Sequence, residues 1–127
     1  VLDSAGGTGR FVKAGPGSLL FGGAAANTYT GLTTVRAGSL QLNKAAGVTA
    51  VASPLQVGDG SGPATVITFF DDQIADAAAV AVAAGALFDL NGKAETVASL
   101  AVAGGGVNVA PGGVLTVAGP TSLRDAD

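Results

Sequence analysis

Four carboxylates are the side chains of this sequence that offer the most scope for chemistry. Asp71, Asp72 and Asp76 form its one acidic cluster, and Glu95 is its sole glutamate. Paired carboxylates can act as general acid and base on a glycosidic bond, as they do in enzymes that cleave polysaccharides. A lyase site would also need an arginine or lysine nearby, and residues 45–92 contain neither. We therefore interpret the cluster as a solvated loop and predict no catalytic residue.

Two short loops carry oxygen-bearing side chains that could bind calcium. Asp59 lies in the stretch 57–62 (VGDGSG), and Asp89 begins the stretch 89–92 (DLNG). Calcium takes six to eight converging oxygen ligands, and neither loop recurs in the sequence. Asp, Asn and Gly are also the residues that backbone turns favour. Both loops are interpreted as turns, and we expect no metal and no cofactor.

Two further stretches are weaker candidates. The glycines at 104–106 neither open a helix nor precede a Lys-Ser/Thr pair, as a phosphate-binding loop would, and they are typical of a tight corner. Thr33 and Thr34 could begin a flat threonine ladder of the kind that orders ice, but the other predicted strands do not repeat it. Neither stretch predicts a binding site.

Composition excludes several classes of function. The sequence has no His and no Cys, which removes the usual transition-metal ligands, nucleophile pairs and neutral-pH base. A formal net charge of −3 with only six Lys and Arg argues against nucleic acid. No apolar run approaches the ~20 residues of a membrane span. The first residues include neither Met nor a signal peptide, so we expect a mature or excised segment.

One short pattern recurs along the chain: Val, two residues, Gly, one residue, then Leu or Val. Its copies are Val35…Gly38…Leu40, Val82…Gly85…Leu87 and Val109…Gly112…Val114, with a degenerate copy at Val12…Gly15. Apolar residues alternate with others on both sides of the glycine, which indicates strands with one buried face. Glycine supplies a bend or a positive φ between them. The predicted unit is strand, glycine corner, strand, with the Val and Leu side chains of the three full copies pointing inward.

The spacing between copies is irregular, with 47 residues from Gly38 to Gly85 and 27 from Gly85 to Gly112. It excludes a strict short repeat and fits a β-helix whose turns of roughly 20–25 residues tolerate insertions. Insertions are predicted at 22–30, 58–62 and 71–76, and further strands at 18–21, 55–57, 65–70 and 96–102. The alanine-rich stretch 75–86 is predicted to be a loop entering a strand, with a short helical turn as the alternative.

Several stretches closely resemble the autotransporter-associated β-strand repeat of bacterial surface and secreted proteins. They are 17–21 (GSLLF), 27–31 (NTYTG) and 33–42 (TTVRAGSLQL), followed by 72–76 (DQIAD), 87–92 (LFDLNG) and 95–100 (ETVASL). The resemblance covers about residues 13–118. It implies a right-handed parallel β-helix, export, and a stalk or surface-exposed role. The position of Tyr29 in the repeat implies packing over a corner rather than stacking on a sugar.

Two departures from the repeat fall in one corner loop. Residues 24–26 (AAA) lengthen the approach to Asn27, and Leu32 stands where the family usually has Gly. They affect the expected conformation of this loop and leave the expected coil unchanged.

We therefore predict one all-β domain over residues 1–127, a right-handed parallel β-helix of five or six coils within a longer repeat array. The predicted function is that of a structural or adhesive segment of an exported bacterial surface protein, acting as a stiff stalk or fibre subunit and not as an enzyme. The alternative is a carbohydrate-binding or carbohydrate-active β-helix. A groove lined with aromatics and carboxylates would distinguish it.

The expected partners follow from the architecture. An uncovered strand edge recruits another strand, so we expect neighbouring solenoid coils or further copies of this chain, end to end. Val1-Leu2 and residues 117–123 show no charged amphipathic helix that could cap the stack, which favours association. The sequence does not identify a surface glycan or host ligand, and it predicts no nucleic acid partner and no membrane insertion of this segment.

Overall fold

The computed structural model describes residues 11–23, 31–52, 54–60, 63–119 and 121–124, and within them the regular structure consists of strands joined by turns. The strands are β1 (Phe11–Lys13), β2 (Ser18–Gly23), β3 (Thr33–Val35), β4 (Gly38–Lys44), β5 (Leu55–Val57), β6 (Ala64–Thr68), β7 (Ala79–Val82), β8 (Ala86–Asp89), β9 (Ala94–Val97), β10 (Ser99–Ala103), β11 (Gly106–Asn108), β12 (Val114–Val117) and β13 (Thr121–Arg124). In this part of the chain no helix has the length and hydropathy of a membrane span.

Successive strands belong to different sheets, and every strand pairs in parallel with its counterpart one turn away. The first sheet has six strands in the order β1-β3-β5-β7-β10-β13, the second has five in the order β2-β4-β6-β8-β11, and β9 pairs with β12 in a third. Before β9, the third side is formed by residues 45–51 and 71–75, which are joined by a bridge between Val51 and Ile74. The chain is a parallel β-solenoid, as the sequence predicts.

The solenoid has about four turns, and the prediction of five or six coils is wrong. The five strands of the second sheet mark these turns, because each strand lies one turn from the next. The larger number corresponds to turns of roughly 20–25 residues over the full length of 127 residues. The strands of the second sheet begin at Ser18 and end at Asn108, and this shorter span of the chain accounts for about four turns.

Inward side chains stack in columns along the solenoid. Val35, Val57 and Val82 occupy one position in successive strands of the first sheet, and each is at most 1 % exposed. Leu40, Val66 and Phe88 form the matching column of the second sheet. Such columns suit small and branched apolar side chains, because each layer is thin and repeats the one below it.

The corners between the first and second sheets differ in length, whereas the strands they join stay in register. Two residues separate β3 from β4, three separate β7 from β8, and six separate β5 from β6. The predicted insertion at 58–62 falls in the longest of these corners. The strands 55–57 and 18–21 are confirmed as β5 and part of β2. The alanine-rich stretch is confirmed as a loop that enters β7.

The predictions for two inward positions and for the extent of one strand are wrong. Leu87 points outward beside Thr65, and Phe88 takes the inward position. Val114 is 56 % exposed, because the copy at 109–114 forms the corner between β11 and β12 rather than the Val35-type corner. The predicted strand 96–102 is divided between β9 and β10.

The third true copy of the pattern lies elsewhere in the sequence. Val102 aligns with Val82, and Val107 aligns with Phe88, so the sequence Val102…Gly105…Val107 fills the corner between β10 and β11. The degenerate first copy likewise begins at Lys13, which aligns with Val35, and not at the exposed Val12.

Candidate functional site

The third side of the solenoid contains a row of buried polar side chains that we call the polar seam: Lys44, Gln73 and Glu95. Each is at most 5 % exposed, which is unusual for these residue types, since they are seldom buried unless they are paired. The seam runs from the end of β4, across residues 71–75, to β9. It joins three successive layers of the stack.

Gln73 connects the first two layers through its side-chain amide. Its Oε1 accepts a hydrogen bond from the backbone N–H of Lys44 at 2.8 Å, and its Nε2 donates to the Lys44 carbonyl at 3.0 Å. Nε2 also lies 3.2 Å from the carbonyl of Asp71. The ammonium of Lys44 extends away from Gln73 and donates to the carbonyl of Gly22 at 2.8 Å. Every polar atom of the seam therefore has a partner, as buried polar groups require.

Glu95 connects the next two layers through its carboxylate. Its Oε2 accepts a hydrogen bond from the N–H of Gln73 at 2.9 Å, and its Oε1 accepts one from the N–H of Ile74 at 2.8 Å. Asp72 has a φ of 56°, so the chain turns at this point. Two consecutive backbone amides then face a side chain of the next layer instead of a strand.

The surroundings of Glu95 favour its neutral form. The pKa of Glu95 is raised from 4.5 to about 7. Burial is the largest cause, the two backbone hydrogen bonds from Ile74 and Gln73 act against it, and the nearby charges of Asp72 and Asp76 add to it. Desolvation is the largest of these effects because a carboxylate loses its hydration when it enters an apolar core.

The aspartate cluster lies on the outside of the same corner. Asp71, Asp72 and Asp76 are exposed, and Asp71 Oδ1 accepts a hydrogen bond from the N–H of Ala94 at 2.9 Å. Asp72 and Asp76 line an open groove of about 400 Å³ together with Gly47, Thr49, Ile74 and Ala75. Glu95 is 2 % exposed and directed inward, so the structure does not bring the four carboxylates together.

The two loops considered for calcium are separate turns. Asp89 Oδ1 accepts a hydrogen bond from the N–H of Asn91 at 2.8 Å, which is the local bond of an Asx turn. Asp59 is exposed between Gly58 and Gly60, both of which have positive φ. In the described ranges no three carboxylates converge as a metal site would need.

Of the remaining candidate stretches, the glycine run lies in a corner and the two threonines lie in β3. A Cβ on Gly105 would lie 2.5 Å from the carbonyl oxygen of Ala83, so the glycine run forms a tight corner. Thr33 is fully buried, and only Thr34 faces outward, between Val12 and Gln56. Asn27, Tyr29 and residues 24–26 lie outside the described residues.

Sequence reasoning missed the polar seam and one further buried cation. Lys13 occupies the inward column of Val35, and its Nζ donates to the carbonyls of Ala14, Gly15 and Ala37 at 3.0, 2.8 and 3.2 Å. A signal for Glu95 is its position two residues before Val97, which places both side chains on the same face of β9, although the predicted strand 96–102 begins after it. No comparable pattern marks Gln73.

The fold defines a class of protein, a parallel β-solenoid with a continuous aliphatic core. Residues 11–42, which run from β1 to β4, match the family model of the passenger-associated-transport-repeat. The resemblance to the autotransporter passenger repeat is therefore confirmed for these residues. No curated protein and no solved structure matches the chain.

The repeat and the solenoid together indicate a segment of an autotransporter passenger. The repeat family also implies an exported, surface-associated protein.

Proposed function

We propose that this chain is a stiff β-helical spacer: a structural or adhesive segment of an exported bacterial surface protein that acts as a stalk or fibre subunit. The observation that carries the proposal is the unbroken parallel pairing of the first sheet from β1 to β13. Backbone hydrogen bonds between layers run along the solenoid axis, so bending or stretching must disturb many of them together. The proposal assigns no catalytic activity to the chain.

The polar seam and the columns support stiffness in different ways. Valine and leucine columns exclude water from the interior, whereas Gln73 and Glu95 fix one layer over the next through directional bonds. In the part of the chain that the structure describes, no buried side-chain polar atom lacks a hydrogen-bond partner. In a core of this kind, a layer cannot shift against its neighbour without breaking hydrogen bonds.

The partners that we propose are neighbouring coils of the same array or further copies of this chain stacked end to end. Support comes from the layer of β11 and β12, where Val107, Leu115 and Val117 are only partly buried although they pack against the core. Phe88 and Val97, which occupy the equivalent positions one layer below, are fully buried. Sedimentation velocity at rising concentration tests this proposal, and a monomer up to millimolar concentration would count against self-association.

The alternative of a carbohydrate-binding or carbohydrate-active β-helix has less support. The groove beside Asp72 and Asp76 has carboxylates but no aromatic side chain in its lining. Sugar-binding clefts usually combine the two, because a sugar ring stacks on an aromatic face. A glycan array probed with the wild-type chain tests this alternative, with Asp72→Ala as the comparison.

A distance measurement tests the stiff spacer directly. The sequence has no cysteine, so spin labels attached to Val12→Cys and Ala101→Cys would be the only two. Both residues are exposed on the first sheet and lie four layers apart. A stack with ~4.8 Å between layers places their backbones about 19 Å apart.

A narrow distance distribution near that value supports the spacer. A broad distribution in a folded chain would overturn it. The pair Val12→Cys and Thr34→Cys, on adjacent strands, serves as the control for the mobility of the labels themselves.

A further inference from the structure

Glu95 is the acidic group of the polar seam, and its carboxylate links two layers of the stack. Its two carboxylate oxygens hold the N–H groups of Gln73 and Ile74 at 2.9 and 2.8 Å, and the residue is 2 % exposed. The carbonyl of Gln73 is used on the opposite side, where Ala50 and Val51 donate to it at 2.7 and 3.0 Å. At this corner the carboxylate joins two layers together with the bond from the Asp72 N–H to the Ala94 carbonyl and the bond from the Ala94 N–H to Asp71 Oδ1.

The charged groups that act on Glu95 have its own sign. Asp72 and Asp76 of the adjoining corner act on it electrostatically, and Asp71 bonds to the N–H of Ala94 on the same strand. The next layer, β12, has no titratable side chain, and Leu115 lies over Glu95. Within the described chain the ammonium of Lys44 is directed away to Gly22, and Lys93 precedes β9 without pairing with the carboxylate.

We propose that Glu95 is a pH-responsive tie between adjacent coils. When the carboxylate takes up a proton, it loses its negative charge and weakens one of its two hydrogen bonds to backbone amides. As a carboxylate it accepts bonds from both amides while its charge is buried beside Asp72 and Asp76. As a neutral acid it keeps one oxygen as a full acceptor, and the other becomes a hydroxyl. One amide of the corner is then held less firmly, and the repulsion from the two aspartates is relieved.

The direction of the pH effect follows from the two protonation equilibria. Burial raises the pKa of Glu95 from 4.5 in the unfolded chain to about 7 in the folded protein. Between these values the folded protein holds a proton that the unfolded chain releases. The contribution of Glu95 to stability is therefore full below pH 4.5 and is lost as the pH rises through about 7.

The sequence has no His and no Cys, the residue types that most often titrate near neutrality beside a shifted carboxylate. The tie is a property of the fold, and its test is independent of whether the chain serves as a spacer.

The uniqueness of Glu95 allows a direct titration. Labelling with ¹³C-glutamate gives a single Cδ resonance, because the chain has one glutamate. We expect this resonance to titrate near neutral pH, and the amide resonances of Gln73 and Ile74 to shift with the same midpoint. Asp76→Asn should lower the midpoint because it removes one repelling charge. A Cδ midpoint close to the ordinary value of glutamate would overturn the proposal.

Urea unfolding at a series of pH values provides the second measurement. Between pH 5 and pH 8 the unfolding equilibrium constant of the wild type should rise by about ten- to a hundredfold. Glu95→Gln should lose this dependence, whereas Asp89→Asn, in an exposed turn, should retain it. An equal dependence in Glu95→Gln would contradict the proposal. If that variant does not fold, the Cδ titration and its shift in Asp76→Asn decide the matter.

Discussion

The side-chain amide of Gln73 lies against the backbone of Lys44 as a neighbouring strand would. It accepts from the N–H at 2.8 Å and donates to the carbonyl at 3.0 Å, so both peptide groups of a ladder position are satisfied by one side chain. Residues 69–73 do not form a strand. The glutamine therefore supplies the pairing that the backbone does not provide at this level of the stack.

Removal of this amide should be costly. Gln73→Ala leaves a buried N–H and a buried carbonyl of Lys44 without partners, and we expect the free energy of unfolding to fall by about 2–4 kcal/mol. Gln73→Leu should be destabilised as well, because it restores volume but no hydrogen bond. Gln41→Ala, on the outward face of β4, is the matched control and should change stability by less than about 0.5 kcal/mol. Urea unfolding measures all three variants. An unchanged free energy of unfolding in Gln73→Ala would show that water replaces the amide.

A methyl group on the corner glycine at position 105 should destabilise the solenoid through contact alone. Gly105 does not have a positive φ, but an added Cβ would lie 2.5 Å from both the carbonyl oxygen of Ala83 and Cγ1 of Val82. We expect Gly105→Ala to lower the free energy of unfolding by about 1–3 kcal/mol. Gly17→Ala, which meets nothing within 4 Å, should be neutral. Equal thermal stability of the two variants would mean that the corner is looser than described.

The register of β8 can be tested with two adjacent residues. Phe88 is fully buried, and Leu87 faces outward. Phe88→Ala should cost about 3–5 kcal/mol through lost burial and the cavity it leaves. Leu87→Ala should cost less than about 1 kcal/mol. The reverse order in chemical denaturation would place Leu87 inside and shift the strand by one residue.

Chelation should leave the protein unchanged. Asp89 is engaged in a turn with Asn91, and Asp59 lies in a glycine turn, so neither loop needs a cation to hold its conformation. We expect the same melting temperature with EDTA as with added calcium. A clear decrease with EDTA, absent in Asp59→Asn or Asp89→Asn, would reveal a calcium site.

The sequence predicts the coil well and its exact register less well. Alternation around Gly38 gives the inward positions of Val35 and Leu40 correctly, because only two residues separate β3 from β4 in that corner. The corner after Val82 has one more residue, and a slip of one residue turns a strand over, so the same pattern selects Leu87 instead of Phe88.

The polar seam is harder to predict for another reason. Judged from its residue type alone, Glu95 would be assigned to the surface or to a catalytic site. The sequence does not show that the N–H groups of Gln73 and Ile74 converge on its carboxylate. That convergence arises from the turn at Asp72, which is a non-glycine residue with positive φ. Such conformations are uncommon, and the residues around Asp72 do not predict one.

The unequal corners make this architecture permissive to insertion. Six residues between β5 and β6 are accommodated as readily as two between β3 and β4, and the strands on either side remain paired one to one. Foreign peptides grafted at such a corner would be displayed at a fixed height along the axis without altering the layers above or below. The corners can therefore vary in length while the interior columns stay the same, and the chain offers a scaffold for presenting several different loops in a defined order.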